Sequence, residues 1–214
     1  MNPNAPYQPA IWYSCAWRGA GIGRLVTYPI TREAIGHSRD YAFGRGWPVA
    51  ALPDHLARAH VGANIDPKWH APFGDVAVVS LGILILSPKL AEVLGRFDLG
   101  ATRLHPLELR QEGSTEVIDQ RVWLNVAETK AYLVPDTSFG LLPIKDPHPE
   151  MPHQWRLGRA VPRLAVRETA AEGVELWMDP LVGKILFFSD RLATALRDEG
   201  FDLFDFQRCR IVEA

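Results

Sequence analysis

The feature of this sequence that most constrains its fold is a short pattern that occurs twice. Residues 83–94 read ILILSPKLAEVL, and residues 185–196 read ILFFSDRLATAL. In each stretch, an apolar run typical of a buried strand reaches a serine, after which apolar residues recur at helical spacing. Each stretch therefore predicts a strand, a serine N-cap and a helix of about two turns.

Ser87 and Ser189 are the predicted caps, because a serine hydroxyl can accept a hydrogen bond from one of the unpaired N–H groups that begin a helix. Pro88 suits a first helical position, and Asp190 places negative charge near the positive end of the second helix. The likeness continues beyond the helices, where residues 96–99 (RFDL) match residues 200–203 (GFDL). We therefore expect a duplicated packing unit.

The remaining pattern predicts an α+β fold, mostly antiparallel sheet with a few short helices. Residues 1–75 are expected to form a loop-rich segment packed on the core, and residues 76–214 an α+β domain. A chain of 214 residues can bury a core without disulfides or metal. Individual elements are predicted as strands over 10–17, 76–86 and 131–134 and as a short helix over 48–60.

Composition narrows the classes of function. Hydrophobic residues make up 47% of the chain and the net charge is -2, values typical of a globular protein and unlike a nucleic-acid binder. The N-terminal residues lack the apolar core of a signal peptide, and the apolar run from Val76 to Leu86 is too short to cross a bilayer. We expect a cytoplasmic protein in which Cys15 and Cys209 are reduced. A disulfide bond between these two residues is the alternative.

Residue types capable of chemistry are present but do not converge. Residues 19–24 (GAGIGR) lack the last glycine of a dinucleotide-binding loop, and a turn explains them better. His148 and His153 lie in a proline-rich stretch without the closely spaced partners of a zinc site. Residues 136–138 (DTS) favour turn hydrogen bonding over acyl transfer. We predict no catalytic site, no metal and no cofactor.

Two groups of residues are candidates for binding a partner protein. Carboxylates cluster around the end of the second predicted helix, where the helix dipole favours cations: Asp198, Glu199, Asp202 and Asp205. Such placement suits a surface that meets a basic partner, although a solvated face explains it too. Trp155 and Arg156 are the second group, since tryptophan and arginine are enriched among interface hot spots.

From about residue 76 onward the chain resembles the Imm11 family of bacterial immunity proteins. The segments that carry the resemblance are 84–90 (LILSPKL), 104–109 (LHPLEL), 123–126 (WLNV), 136–138 (DTS) and 186–192 (LFFSDRL). The resemblance implies a cytoplasmic immunity protein that binds the cognate toxin domain of a polymorphic toxin system and occludes its active site. It implies no enzyme activity, no membrane association and no direct contact with nucleic acid.

Two alternatives stay open. One is a small metal-dependent hydrolase that uses the loop containing His148 and His153 with its neighbouring carboxylates. The other is a protein-binding adaptor without a toxin partner, whose duplicated units bind a peptide along a sheet edge. The sequence leaves the identity of the toxin, the contact surface and the oligomeric state undetermined.

Overall fold

A computed structural model describes residues 10–14, 26–27, 58–61, 74–78, 84–111, 113–145, 154–158, 161–201 and 204–213. The α-helices within these ranges are α1 (Pro88–Leu94) and α2 (Asp190–Asp198). The first strands are β1 (Ile11–Ser14), β2 (Val26–Thr27), β3 (Arg58–Val61), β4 (Val76–Val78), β5 (Leu84–Leu86), β6 (Arg103–Gln111) and β7 (Val117–Asn125). The others are β8 (Leu141–Pro143), β9 (Trp155–Leu157), β10 (Ala165–Arg167), β11 (Leu176–Asp179), β12 (Val182–Ser189), β13 (Gln207–Arg208) and β14 (Arg210–Val212).

The described strands form three sheets. The first has the order β13-β1-β12-β9-β8, with β11 also paired to β12. The second has the order β2-β3-β6-β7-β5-β4, and β10 and β14 form a separate two-stranded sheet. Pairing is antiparallel except between β9 and β12, β3 and β6, and β10 and β14. The predicted α+β class with mostly antiparallel sheet is therefore confirmed.

The first strand-serine-helix stretch is fixed by hydrogen bonds around Ser87. Its backbone N–H donates to the carbonyl of Asp75 at 2.8 Å, and its hydroxyl donates to the Asp75 carboxylate at 2.6 Å. The same hydroxyl accepts from the backbone N–H of Leu90 at 3.2 Å, which caps α1. Asp75 directly precedes β4, which pairs with β5, so the serine connects the helix to both strands.

Ser189 makes the corresponding bonds before α2. Its backbone N–H donates to the carbonyl of Glu175 at 2.9 Å, its hydroxyl donates to the Glu175 carboxylate at 2.9 Å, and it accepts from the N–H of Leu192 at 3.1 Å. Glu175 directly precedes β11, which pairs with β12. Both predicted serine caps are confirmed, and each includes a carboxylate that the sequence analysis did not identify.

The two helices pack into one apolar core. A cation on each helix also contacts an aromatic ring that follows the other helix. The ammonium of Lys89, on α1, lies 5.1 Å from the ring centre of Phe201, which follows α2. The guanidinium of Arg191, on α2, lies 5.2 Å from the ring centre of Phe97, which follows α1. Between the helices and the sheets lie buried side chains that include Leu90, Leu94, Leu124, Phe188, Leu192 and Leu196. Burial of each such side chain contributes about 1.5–3 kcal/mol.

The apolar run of β12 is explained by burial on both faces of its sheet. Leu186 and Phe188 point into the core beneath the helices, whereas Ile185 and Phe187 point into a second core with Trp177. Alternate residues of a strand face opposite sides, so a strand covered on both sides needs a continuous apolar run. β12 lies in the middle of the first sheet and pairs with β9, which in turn pairs with β8 at the sheet edge.

Some predicted elements differ from the structure. The helix predicted over 48–60 is wrong at its end, because Arg58–Val61 is a strand held by parallel pairing with β6. The single strand predicted over 76–86 is wrong, because its described residues form two strands, β4 and β5, that pair antiparallel. The strand predicted over 131–134 is reduced to one bridge between Leu133 and Val166. Long-range pairing decides each case, and local sequence does not encode it.

Candidate partner-binding surface

The clearest surface feature of the described residues is a group of exposed apolar side chains near β8. The side chains of Val161, Phe139 and Leu142 are 72%, 62% and 42% exposed, respectively. Phe139 and Leu142 lie at most about 11 Å apart, because three residues of extended chain reach no further. Exposed large apolar side chains that share one neighbourhood are typical of binding sites.

Backbone pairing brings Val161 to this neighbourhood. Phe139 and Arg163 exchange two backbone hydrogen bonds, of 2.9 and 3.0 Å, and form an isolated antiparallel bridge. Val161 is two residues from Arg163 and therefore lies beside the start of β8. Tyr13 of β1 also holds this segment in place, since its buried hydroxyl donates to the carbonyl of Pro162 at 2.6 Å.

Gly140 and Gly158 allow these segments to approach closely. Gly140 has φ +82°, and a Cβ there would lie 3.0 Å from the Cα of Pro162. The N–H of Gly158 donates to the carbonyl of Gly140 at 2.7 Å, and a Cβ on Gly158 would contact Leu142 at 3.5 Å. The positive φ of Gly140 and the close backbone contacts of both residues favour glycine, which lets these segments pack tightly against each other.

The DTS turn supports the same region. The Ser138 hydroxyl donates to the carbonyl of Val134 at 2.8 Å and accepts from the N–H of Ala165 at 2.9 Å. Residues Pro135–Thr137 form a single 3-10 turn. The prediction that this motif makes turn hydrogen bonds is confirmed, because the Ser138 hydroxyl binds a carbonyl four residues before it; its second bond joins the turn to Ala165.

The two predicted partner-binding residues of β9 lie beside this region. Trp155 is half-buried and pairs with Val182 on one side and Pro143 on the other. Arg156 is exposed and directly opposite Leu142, so the two side chains share a face of the sheet. The structure thus places Arg156 next to an exposed apolar residue that the sequence analysis did not select.

Positive charge accompanies the apolar side chains. Arg156 and Arg163 are both exposed, and neither forms an ion pair with a carboxylate within the described ranges. We call the set of Phe139, Leu142, Arg156, Val161 and Arg163 the Phe139 surface. It combines exposed apolar side chains with two exposed cations.

Some carboxylates of the predicted acidic cluster already bind other side chains of the chain. Glu199 accepts from Arg96 at 3.0 Å, and Arg96 also binds Glu92 at 3.0 Å. Asp198 is exposed, whereas Asp202 lies outside the described residues. Asp205 is exposed with φ 37° and accepts from the Gln207 side chain at 3.0 Å. The structure therefore leaves Asp198 and Asp205 as the more accessible described members.

An aromatic cluster that the sequence analysis missed lies beside this acidic end. The guanidinium of Arg197 lies 4.0 Å from the ring centre of Trp12 and 4.8 Å from that of Phe206. The indole N–H of Trp12 donates to Asp190 at 2.7 Å. The three stacked groups come from β1, α2 and the residue before β13, so only the fold brings them together.

The buried Asp179 and the half-buried Lys130 each bind several backbone groups. Asp179 accepts from the N–H groups of Tyr132 at 2.8 Å, Leu133 at 2.7 Å and Leu181 at 2.9 Å, and burial raises the pKa of its carboxyl. Lys130 donates to three backbone carbonyls, and burial lowers the pKa of its ammonium. Both side chains hold loops to the sheet, which is a structural role.

The metal and thiol candidates give no described site. His148, His153 and Cys15 lie outside the described residues, while Cys209 is buried with its thiol pKa raised by burial. His105 is buried, stacks on Trp123 at 5.2 Å, and has its pKa lowered by burial and by Arg103. The part of the chain that the structure describes contains no group of three side chains able to hold a metal.

Comparison with known proteins adds no assignment. No protein-family model matches this sequence, and no curated protein matches it at a significant level. Among the described helices, none is both long and apolar enough to cross a membrane. The surface geometry and the sequence resemblance are therefore the two grounds for a functional proposal.

Proposed function

We propose that this chain is an immunity protein that binds a cognate bacterial toxin domain and neutralises it by covering its active site. The observation that carries the proposal is the exposure of Phe139 and Val161, at 62% and 72%, near the exposed arginines Arg156 and Arg163. Aromatic side chains and arginine supply much of the binding energy in protein interfaces. The resemblance to the Imm11 family provides the biological role.

Occlusion fits the way the Phe139 surface is built. Backbone bonds between Phe139 and Arg163 and the Ser138 hydroxyl hold the exposed side chains on a fixed frame. A surface that is already ordered loses little conformational entropy on binding, so more of the contact energy appears as affinity. A binding protein of this kind needs no catalytic group, and we propose that the chain is not an enzyme and works in the cytoplasm.

We further propose that the two strand-serine-helix stretches are copies of one unit. Ser87 and Ser189 each bind the residue that precedes the partner strand, through both backbone and side chain. The cation two residues after each serine stacks on an aromatic ring that follows the other helix. This reciprocal arrangement supports a two-fold relation between the units, which together form the scaffold for the binding surface.

The experiment that tests the proposed function is co-expression with the product of the gene immediately upstream. We expect the upstream product alone to arrest growth, and co-expression to restore growth and yield a stoichiometric complex on purification. Restored growth without a complex would instead indicate enzymatic reversal of the toxin's modification. Absence of both toxicity and complex would refute the immunity role.

A further inference from the structure

We infer that the Phe139 surface binds a protein segment in which a bulky apolar residue is flanked by carboxylates. The inference rests on the proposed binding function and specifies the chemistry of the partner. Its basis is two neighbouring pairs at one edge of the sheet, Phe139 with Arg163 and Leu142 with Arg156. In each pair an exposed apolar side chain lies opposite an arginine that has no acidic partner among the described residues.

The apolar side chains define the centre of the contact. Phe139 and Val161 are more exposed than any other large apolar side chains that the structure describes, and Leu142 lies close by over Gly158. Removing these side chains from water favours association with an apolar group of the partner. Because the backbone of Phe139 is fixed by its pairing with Arg163, binding a partner costs little backbone freedom at this residue.

The arginines define the chemistry at the border. Arg156 lies opposite Leu142 and Arg163 lies opposite Phe139, so each cation adjoins an exposed apolar side chain. A guanidinium presents a planar set of donors that matches a carboxylate with two parallel hydrogen bonds. Charge complementarity therefore favours a partner with aspartate or glutamate beside its apolar residue.

Nucleic acid fits this surface less well than protein. The chain has a net charge of -2, and the exposed apolar group includes Leu142 and Val161, which provide no aromatic face for base stacking. Phosphate recognition along a strand needs a row of cations, whereas the Phe139 surface has two arginines separated by apolar side chains. We therefore commit to an acidic protein segment.

The backbone of β8 favours binding through side chains over addition of a strand. Hydrogen bonds from Gly158 to Gly140 and from Ile144 to Gln154 show that alternate residues of β8 face β9. Residue 143 consequently directs its backbone away from β9, toward the side of β8 where no other described strand pairs with it. It is Pro143, which has no N–H to donate, so an added strand would lack a bond there.

A peptide library tests this inference without knowledge of the natural partner. Random peptides displayed on phage are selected on the immobilised chain, and the enriched peptides are measured by fluorescence anisotropy. We expect them to carry a bulky apolar residue with neighbouring Asp or Glu. We expect Phe139→Ser and Arg156→Glu each to weaken binding about tenfold or more, with weaker binding at higher salt.

Matched variants supply the controls. Val117→Ser removes an exposed apolar side chain from the other large sheet, and Arg208→Glu reverses an exposed cation on β13, at the opposite end of the sheet from β8. Both should bind the peptides as the unaltered chain does. All four altered residues are exposed, and thermal melting should confirm that each variant is folded.

Several results would overturn the inference. These are failure to enrich peptides, enrichment of peptides without carboxylates, and equal binding by Phe139→Ser and Arg156→Glu. Tighter binding of a single-stranded oligonucleotide than of any peptide, or self-association that is lost in Phe139→Ser, would also overturn it by assigning another occupant. If the peptides bind and the upstream gene product does not, the immunity role is refuted. The inference that the Phe139 surface binds an acidic protein segment is then retained.

Discussion

Replacing each capping serine by alanine should affect stability unequally, although the two serines make the same kinds of bond. Ser87→Ala removes the N-cap of α1, which costs about 1 kcal/mol. Its Asp75 partner is half-buried, and water can replace the lost hydroxyl. Ser189→Ala removes the cap of α2 and also a hydrogen bond to Glu175, which is only 6% exposed. Loss of a bond to a buried charged group adds about 1–2 kcal/mol, giving about 2–3 kcal/mol in total.

Urea unfolding measures this difference directly. The midpoint should fall further for Ser189→Ala than for Ser87→Ala while the slope stays constant, since the surface exposed on unfolding is the same. Ser189→Thr keeps the hydroxyl and should lose about 0.5 kcal/mol or less. Equal losses for the two alanine variants, or a threonine variant as unstable as Ser189→Ala, would show that the Glu175 bond does not contribute as argued.

Three further changes test other parts of the fold. Gly140→Ala should destabilise the chain by about 2 kcal/mol or more, because φ is +82° and the new Cβ would lie 3.0 Å from Pro162; thermal melting measures the loss. Lys130→Met should cost about 2–4 kcal/mol in urea unfolding, because three carbonyls lose a charged donor and Trp177 loses a cation 4.1 Å from its ring. Burial raises the pKa of the Asp179 carboxyl above its usual value of 3.8, despite the opposing backbone bonds. Its contribution to stability should therefore be full below the ordinary pKa and decline as pH rises through the raised pKa. Subtracting the unfolding free energies of Asp179→Asn from those of the unaltered chain across pH measures this contribution, and a rise with pH would contradict the sign.

The strand-serine-helix stretches could be predicted because their determinants are local. The serine, the apolar run before it and the helical spacing after it all lie within a dozen residues, and local hydrogen bonding realises them. The carboxylates that complete the caps were missed because Asp75 and Glu175 reach the serines only through hairpin pairing. Pairing across a hairpin is not encoded in the spacing of either stretch.

The Phe139 surface could not be predicted for a related reason. An isolated phenylalanine or valine in a sequence indicates core as readily as surface, and exposure of Phe139 depends on its pairing with Arg163. The acidic residues show the converse, since the sequence predicts Glu199 as a partner-binding residue, whereas in the structure it binds Arg96, 103 positions away. Composition identified suitable residue types, and only the fold determined which of them are accessible.

The central claim is that this chain acts by binding a protein at the Phe139 surface. Hydrogen–deuterium exchange of the chain, alone and in complex with the upstream gene product, tests it most directly. The account predicts slower exchange in the complex at residues 139–143 and 161–163, with little change at the acidic end around Asp198. Unchanged exchange at these residues, with protection confined to the acidic end or to other segments, would contradict the claim.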